Sequence, residues 1–357
     1  MQVGIFISPL VRPFSGSGSH LKGLLSALSR FQQGKFLRNI VLLSFEEVPL
    51  ELCSGFKLIV LPKNYASAIM ILKRNNIDAL HFHPFTIRYA PFLPFFICYA
   101  TIHGFSRLNR ESGYGYFVRL SVHARNFLIG FLSKVFTVSP TAKSILVKQY
   151  GVQPDDVIIT LNGINDHFIK QKVDKSTFPK EYVLHISNFS LRKNPDGIIK
   201  SYALARNLGL QKNLLIVGKG WQESIYVRKL VSDLGLGDHV IFKGFVQDAD
   251  LAMYYSNAFA FVFPSFYEGF GMPIAEAMYF GIPVITSDYI IIKDLFSEVV
   301  TCECPSDFES IASCLLRLMD EDYWSKCSIA GQAFVLDFNW DDAARDTLNV
   351  YFDGKIA

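Results

Sequence analysis

The chain has 357 residues, half of them hydrophobic, and a formal net charge of +3. That length accommodates two domains of ordinary size with substantial cores. The six cysteines are scattered, and the one close pair, Cys302-x-Cys304, lacks the spacing and second pair of a zinc site, so free thiols in a reducing cytoplasm are expected.

The small net charge hides an asymmetry. Residues 1–170 hold 18 Lys+Arg against 8 Asp+Glu, and the remainder holds 17 against 24. A basic, aromatic-rich first half points to an anionic partner, either a phosphorylated substrate or an anionic membrane face. No nucleic-acid recognition motif accompanies it. No secretory leader pattern opens the chain. The most apolar stretch, "APFLPFFICYATI" (90–102), is too short for a span and is broken by Pro91 and Pro94. It reads as a buried strand with an apolar approach, so any membrane contact is peripheral.

In chain order, "QVGIFIS" (2–8) is an expected strand, followed by a Gly/Ser loop and a helix over 20–31. "IVLLSF", "KLIVLP", "ALHFH" and "FFICYATIHG" are further strands. "VFTVS" precedes a helix over 140–150, and "VIITLNGIND" follows. From Glu181 the alternation restarts: "YVLHIS", a helix over 195–207, "NLLIVGKG", a helix over 223–234, "VIFKGFV", "FAFVFPS", a helix after Gly271, and "PVITSD". Strands alternating with helices imply parallel sheets with right-handed crossovers. Two such series predict two doubly wound domains, 1–172 and 173–338, parted near "HFIKQKVDKSTFPKE". Their ligands are expected beyond the carboxyl ends of the strands, in a cleft between facing sheets. Residues 339–357 form a terminal helix that Asn339 can cap, expected to pack back on the first domain.

The richest stretch is "YEGFGMPIAEAMYFGIPVITSD" (267–288), which sets Glu268 and Glu276 with seven residues between them, around and beyond the Gly269-Phe270-Gly271 turn. Such a turn lets backbone N–H groups approach a ligand, and the helix start behind it favours phosphate. Carboxylates accept hydrogen bonds from paired sugar or ribose hydroxyls. On residues alone, Glu276 could equally be a buried anchor and Glu268 a helix N-terminal charge. Arg192 and Lys193 in "HISNFSLRKNP" follow a strand and suit the charge that develops on a departing diphosphate. "VGKG" (217–220) lacks the spacing of a phosphate-binding P-loop and reads as structural. His103 ends a strand in "TIHGF". His81 and His83 share a strand face, and two imidazoles without a third ligand do not make a metal site.

"EGFGMPIAE" (268–276) resembles the E-x7-E motif of retaining GT-B glycosyltransferases of the group-1 (family 4) type. "FVFPSFYEGFGMP", "LRKNPDGIIKSYAL", "LLIVGKG", "VIFKGFVQDADLAMYYSNA", "VSPTAKSIL" and "TLNGIND" agree with it in family order. The resemblance implies the α/β GT-B architecture, two Rossmann-like domains, and transfer of a hexose from a nucleoside-diphosphate sugar to an acceptor hydroxyl with retention. It assigns Glu268 to the donor sugar, Glu276 to the ribose, Arg192 and Lys193 to the pyrophosphate, and His103 to the sugar. It places Gly269, Phe270, Gly271, Met272, Gly16 and Gly18 along the donor. Many relatives carry an arginine where this chain has Asn188, and an acidic residue where Gly104 follows His103. No cofactor or metal is implied, since no D-x-D pair stands where a metal-dependent transferase needs one. A GDP- or UDP-linked sugar, first of all mannose, is the expected donor. The expected acceptor is a glycan or lipid-linked glycan, held by Arg88, Arg107, Arg110 and Arg119 of the basic first domain, in bacterial polysaccharide assembly at the cytoplasmic membrane face. The alternatives are a non-catalytic subunit of the same fold and a nucleotide-sugar epimerase.

Overall fold

The computed structural model describes residues 1–11, 16–31, 37–53, 55–104, 116–170, 181–296 and 301–354. They fall into two compact units, one of residues 1–104, 116–163 and 338–354, the other of 164–170, 181–296 and 301–337.

The first unit is built on seven parallel strands: β1 (Val3–Phe6), β2 (Ile40–Ser44), β3 (Lys57–Val60), β4 (Ala79–Phe82), β5 (Ile97–Ile102), β6 (Lys134–Thr137) and β7 (Val157–Ile159). Their order is β3-β2-β1-β4-β5-β6-β7. β1, β2 and β4 are buried at every position, as apolar runs covered on both faces of a parallel sheet must be. The strand order reverses between β1 and β4, which makes their carboxyl ends the switch point of this sheet.

After β1 the helix starts earlier than the sequence suggests, at Gly16 rather than His20. Gly16 and Gly18 therefore belong to its first turn and not to a loop. The buried ladder Leu21, Leu24, Leu25 and Leu28 outweighs the low helix propensity of the two glycines. First-turn N–H groups also lack intrahelical acceptors, so glycine forfeits little there.

Trp340–Tyr351 packs on this unit. The Asn339 side chain accepts from the Asp342 amide at 2.8 Å and starts the helix. A Cβ at Gly23 would come within 2.2 Å of the Trp340 ring, so only glycine admits that contact. Gly163 meets the Asn339–Trp340 backbone just as closely. The division between units falls after Gly163, nine residues before the expected 172, and residues 171–180 of the polar segment lie outside the described residues.

The second unit holds six parallel strands: β8 (Tyr182–Ile186), β9 (Asn213–Val217), β10 (Val240–Gly244), β11 (Ala258–Phe263), β12 (Val284–Ser287) and β13 (Thr301–Glu303). Their order is β10-β9-β8-β11-β12-β13, with the reversal between β8 and β11. Its core holds Trp221 and Trp324, whose indole N–H groups donate to Ser187 O and Phe259 O at 2.6 Å each. Neither polar edge is left unsatisfied inside that core.

Candidate functional site

The chemistry expected in the second unit gathers at the β8/β11 switch point. His185, fully buried in β8, bridges the two strands: its Nδ1 lies 2.8 Å from Val262 O and its Nε2 2.7 Å from Ser187 Oγ. Burial pushes its pKa down to about 3, so it is a neutral strut at pH 7. Beyond β8 the backbone makes a short 3-10 turn, Leu191–Lys193, and Asn194 follows with φ 59°. Asn194 caps the Pro195–Asn207 helix through Gly197 N at 2.9 Å. Its Nδ2 donates to Pro264 O at 3.0 Å and Pro305 O at 2.6 Å. One side chain thus fastens the turn after β8 to the loop after β11.

That clamp sets Arg192 and Lys193 against Glu268. Arg192 Nη1 and Lys193 Nζ each donate to Glu268 Oε1 at 2.7 Å, and Arg192 also donates to Tyr267 O. Lys193 lies 4.4 Å over the Phe263 ring and is only 8% exposed. Burial pulls its pKa down to about 8, against the opposing pull of Glu268. Burial alone would raise the Glu268 pKa, but Lys193 and Arg192 hold it below the usual carboxylate range. The three side chains form a buried and a half-buried cation sharing one carboxylate, an arrangement with charge to spare for an incoming anion.

Glu276 sits on the Met272–Tyr279 helix and is 8% exposed. Asn165 Nδ2 donates to its Oε1 at 3.1 Å, and the Tyr255 hydroxyl donates to its Oε2 at 2.8 Å. Burial nevertheless lifts its pKa to about 7, with a further push from Asp248. Gly271 precedes this helix at φ 91°, where no side chain caps the helix start. A Cβ there would lie 2.9 Å from Ile274 Cδ1 and 3.0 Å from Ile292 Cδ1. Phe270 and Met272 are buried, Phe270 against Phe296, so these two offer a ligand their backbone rather than their side chains. Gly269 stays half-buried at the turn.

"VGKG" is built into the fold. Gly218 has φ 137°, and a Cβ there would lie 1.9 Å from Ser187 O. Asn188, where many relatives place an arginine, accepts from the Lys219 amide at 3.1 Å.

The remaining candidates belong to the first unit. His103 follows β5, and its Nε2 is buried without a hydrogen-bond partner among the described residues. His20 stands edge-on to it, ring centroids 4.6 Å apart, and His83 lies 5.8 Å from His20. The strand-face imidazoles His81 and His83 do not act as a pair, and His83 is one of three converging rings. His81 bonds to the Tyr351 hydroxyl and to Thr101 Oγ1, whereas His83 joins His20 and His103. The third ring comes from a helix that is distant in sequence, so strand alternation could not reveal it. Of the basic acceptor candidates, Arg88 donates to Ser8 Oγ and Tyr89 OH and is part of the fold. Arg107, Arg110 and the Arg119 side chain lie outside the described residues.

Sequence reading missed Asn165, Asn194 and Tyr255. Asn194 did carry a signal, an asparagine directly before Pro195 at a helix start. Tyr255 carried none, because only the packing of the Asp248–Ser256 helix brings it to Glu276.

Two parallel α/β units, one with a cation–carboxylate cluster at its switch point, define the GT-B architecture. The structure of Anabaena Alr3699/HepE in complex with UDP-glucose aligns over 99% of this chain and 100% of its own, with a TM-score of 0.77 and 16% identity. Residues 168–332 match the family model for glycosyl transferases group 1, and this segment, which carries Arg192, Lys193, Glu268 and Glu276, is a group-1 glycosyltransferase domain. The chain is 28% identical over 228 residues to O-antigen chain mannosyltransferase B of Escherichia coli, covering 61% of this chain and 60% of that one. It is 32% identical over 184 residues to O-antigen chain mannosyltransferase RfbU of Salmonella typhimurium, covering 52% and 50%. The chain thus spans half to three-fifths of the length of these curated relatives.

Proposed function

We propose that the chain is a retaining glycosyltransferase that moves a hexose, mannose first of all, from a nucleoside-diphosphate sugar to a glycan or lipid-linked glycan hydroxyl in bacterial polysaccharide assembly. The observation that carries this reading is the Arg192–Lys193–Glu268 cluster at the β8/β11 switch point, with Glu276 eight positions further on. The mannosyltransferase relatives support mannose, and their GT-B counterparts support the donor class.

Without donor, Glu268 pairs with both cations and leaves one positive charge uncompensated. On donor binding its carboxylate takes sugar hydroxyls, and Arg192 and Lys193 turn to the diphosphate. As the glycosidic bond breaks, negative charge grows on the leaving phosphate, and these two cations lower that barrier without a metal ion. The acceptor oxygen attacks the same face that the phosphate leaves, and the phosphate takes its proton. Glu276 holds the ribose. The catalytic contribution is positioning and charge stabilisation rather than a covalent intermediate.

Proton NMR of the product from a sugar-nucleotide and glycan panel tests the reaction. The expected product keeps the donor's anomeric configuration, and EDTA does not slow its formation. Inversion contradicts the mechanism. An epimerised donor formed without acceptor favours the epimerase, and no turnover with any donor favours a non-catalytic subunit.

We place the chain on the cytoplasmic membrane face. Among the described residues no helix is long and apolar enough to cross a membrane, and the five described cysteines are free thiols. The basic first half supplies the charge for anionic lipid, and Phe127 and Phe131, 75% and 64% exposed, supply apolar anchors. The protein is expected to sediment with anionic vesicles at low salt and to lose that binding in the Phe127→Ser/Phe131→Ser variant. Indifference to anionic vesicles contradicts the placement.

A further inference from the structure

We infer that His20, His83 and His103 form a binding site for one divalent transition-metal ion of the zinc type. One ring nitrogen of each lies within 4.8 Å of one from each of the others. His20 and His83 are 1% and 0% exposed. Four of the six ring nitrogens, His20 Nε2, both of His83 and His103 Nε2, are buried without a hydrogen-bond partner among the described residues. A buried polar atom left unpaired destabilises the fold, so three such rings converging on one point call for an occupant.

The arrangement has the chemistry of a ligand set. Asn162 Oδ1 lies 2.7 Å from His20 Nδ1 and can only accept, so Nδ1 carries the proton and Nε2 presents its lone pair. Fixing a histidine's tautomer through its outer nitrogen is how metal-binding imidazoles are held in place. Burial lowers the pKa of all three rings, and the neighbouring histidines lower those of His83 and His103 further, which keeps them in the neutral form that binds metal. An all-imidazole set suits zinc, copper or nickel and not the hard magnesium ion. Zinc–nitrogen bonds of about 2.0–2.1 Å require the rings to draw together by small rotations. His81 stacks on His83 at 4.0 Å, and its own hydrogen bonds to Tyr351 and Thr101 brace it from behind.

The residues come from the helix after β1, the end of β4 and the end of β5, at the switch point of the first sheet. The resemblance to group-1 glycosyltransferases assigns His103 to the donor sugar. On that transferase reading a metal ion held there withdraws it, so zinc occupancy and sugar transfer exclude one another.

Chelator-stripped protein titrated with zinc chloride by calorimetry is expected to bind one ion per chain. Cobalt(II) at the same site gives the intense visible bands of a low-coordinate ion. X-ray absorption of the wild-type zinc complex, which needs no variant, shows three imidazole ligands. His83→Gln and His103→Gln, each checked for folding by circular dichroism, weaken zinc binding by more than about 100-fold, while His239→Gln leaves it unchanged. Folded wild type that takes up no zinc overturns the inference, as does a metal shell with fewer than three imidazoles or undiminished binding in a folded His83→Gln. These readouts do not involve glycosyl transfer, so they stand or fall apart from the transferase reading. If transfer is also observed, zinc lowers its rate and EDTA restores it.

Discussion

Glu268→Gln is expected to lower kcat about 100- to 1000-fold, the range for removing one preorganised electrostatic partner of a transition state. Nucleotide affinity changes far less, because glutamine keeps the shape and leaves Arg192 and Lys193 free to meet the diphosphate. The variant also moves the pH profile. Glu268 props up the Lys193 pKa, which burial has already lowered to about 8. In wild type the rate falls as pH rises through about 8 and Lys193 loses its proton. With the carboxylate gone, the Lys193 pKa drops and that basic limb shifts to lower pH. A variant with wild-type turnover, or one whose basic limb stays in place, removes Glu268 from the mechanism. Arg192→Lys offers a complementary control, since it keeps the charge but shortens the reach of the group whose Nη1 donates to both Glu268 and Tyr267 O.

The second large effect belongs to Glu276→Gln, which is expected to stabilise the protein at pH 8 while abolishing its response to donor. A folded pKa of about 7 against an ordinary 4.5 means that the folded state holds the proton more tightly than the unfolded one. Stability therefore falls as pH rises from about 4.5 to 7, and the ionised carboxylate costs on the order of 3 kcal/mol above that window. Glutamine mimics the protonated form and escapes the cost, so its melting temperature exceeds that of wild type by several degrees at pH 8 and matches it near pH 4. Donor binding runs the other way. Ribose hydroxyls donate to the ionised carboxylate, so wild-type affinity rises as pH climbs through about 7 and a proton is released below it. Calorimetry in buffers of different ionisation enthalpy reads that proton. A variant that is less stable at pH 8, or that binds donor normally, makes Glu276 a structural anchor. Stability held back at a residue that binds the substrate is a common trade between activity and folding.

How far the sequence reached depends on whether the signal was local. The strands of both sheets except β13 were legible because buried parallel strands are short apolar runs, and "AFAFVF" of β11 is buried at every position, whereas the three-residue "TCE" of β13 offers no such run. The helices Pro140–Tyr150 and Pro195–Asn207 were legible to the residue because proline follows a capping Ser139 or Asn194. Tyr65–Arg74 was not, since it buries only Ala68 and Leu72 and leaves a weak apolar stripe. The start of the helix at Gly16 was hidden by two glycines that tertiary packing overrides.

At the site, Glu268, Glu276, Arg192 and Lys193 stood out through their motifs. Their partners did not. Tyr255 and Asn165 reach Glu276 only through the fold, and the Glu268 ion pairs join residues 75 and 76 positions apart. The histidine group was invisible for the same reason, since residues 20, 83 and 103 meet only when β1, β4 and β5 lie side by side.

The most direct test of the central claim is a thermal-shift series with GDP, UDP, ADP and dTDP and their common sugar conjugates, run on wild type and Glu276→Gln together. A ligand present at 100 times its dissociation constant stabilises by about 2.7 kcal/mol, a readily measured shift. The expected result is stabilisation by one nucleotide series, GDP first, present in wild type and absent from the variant. No response to any nucleotide sugar, or an equal response in the variant, would contradict a donor site built on these residues.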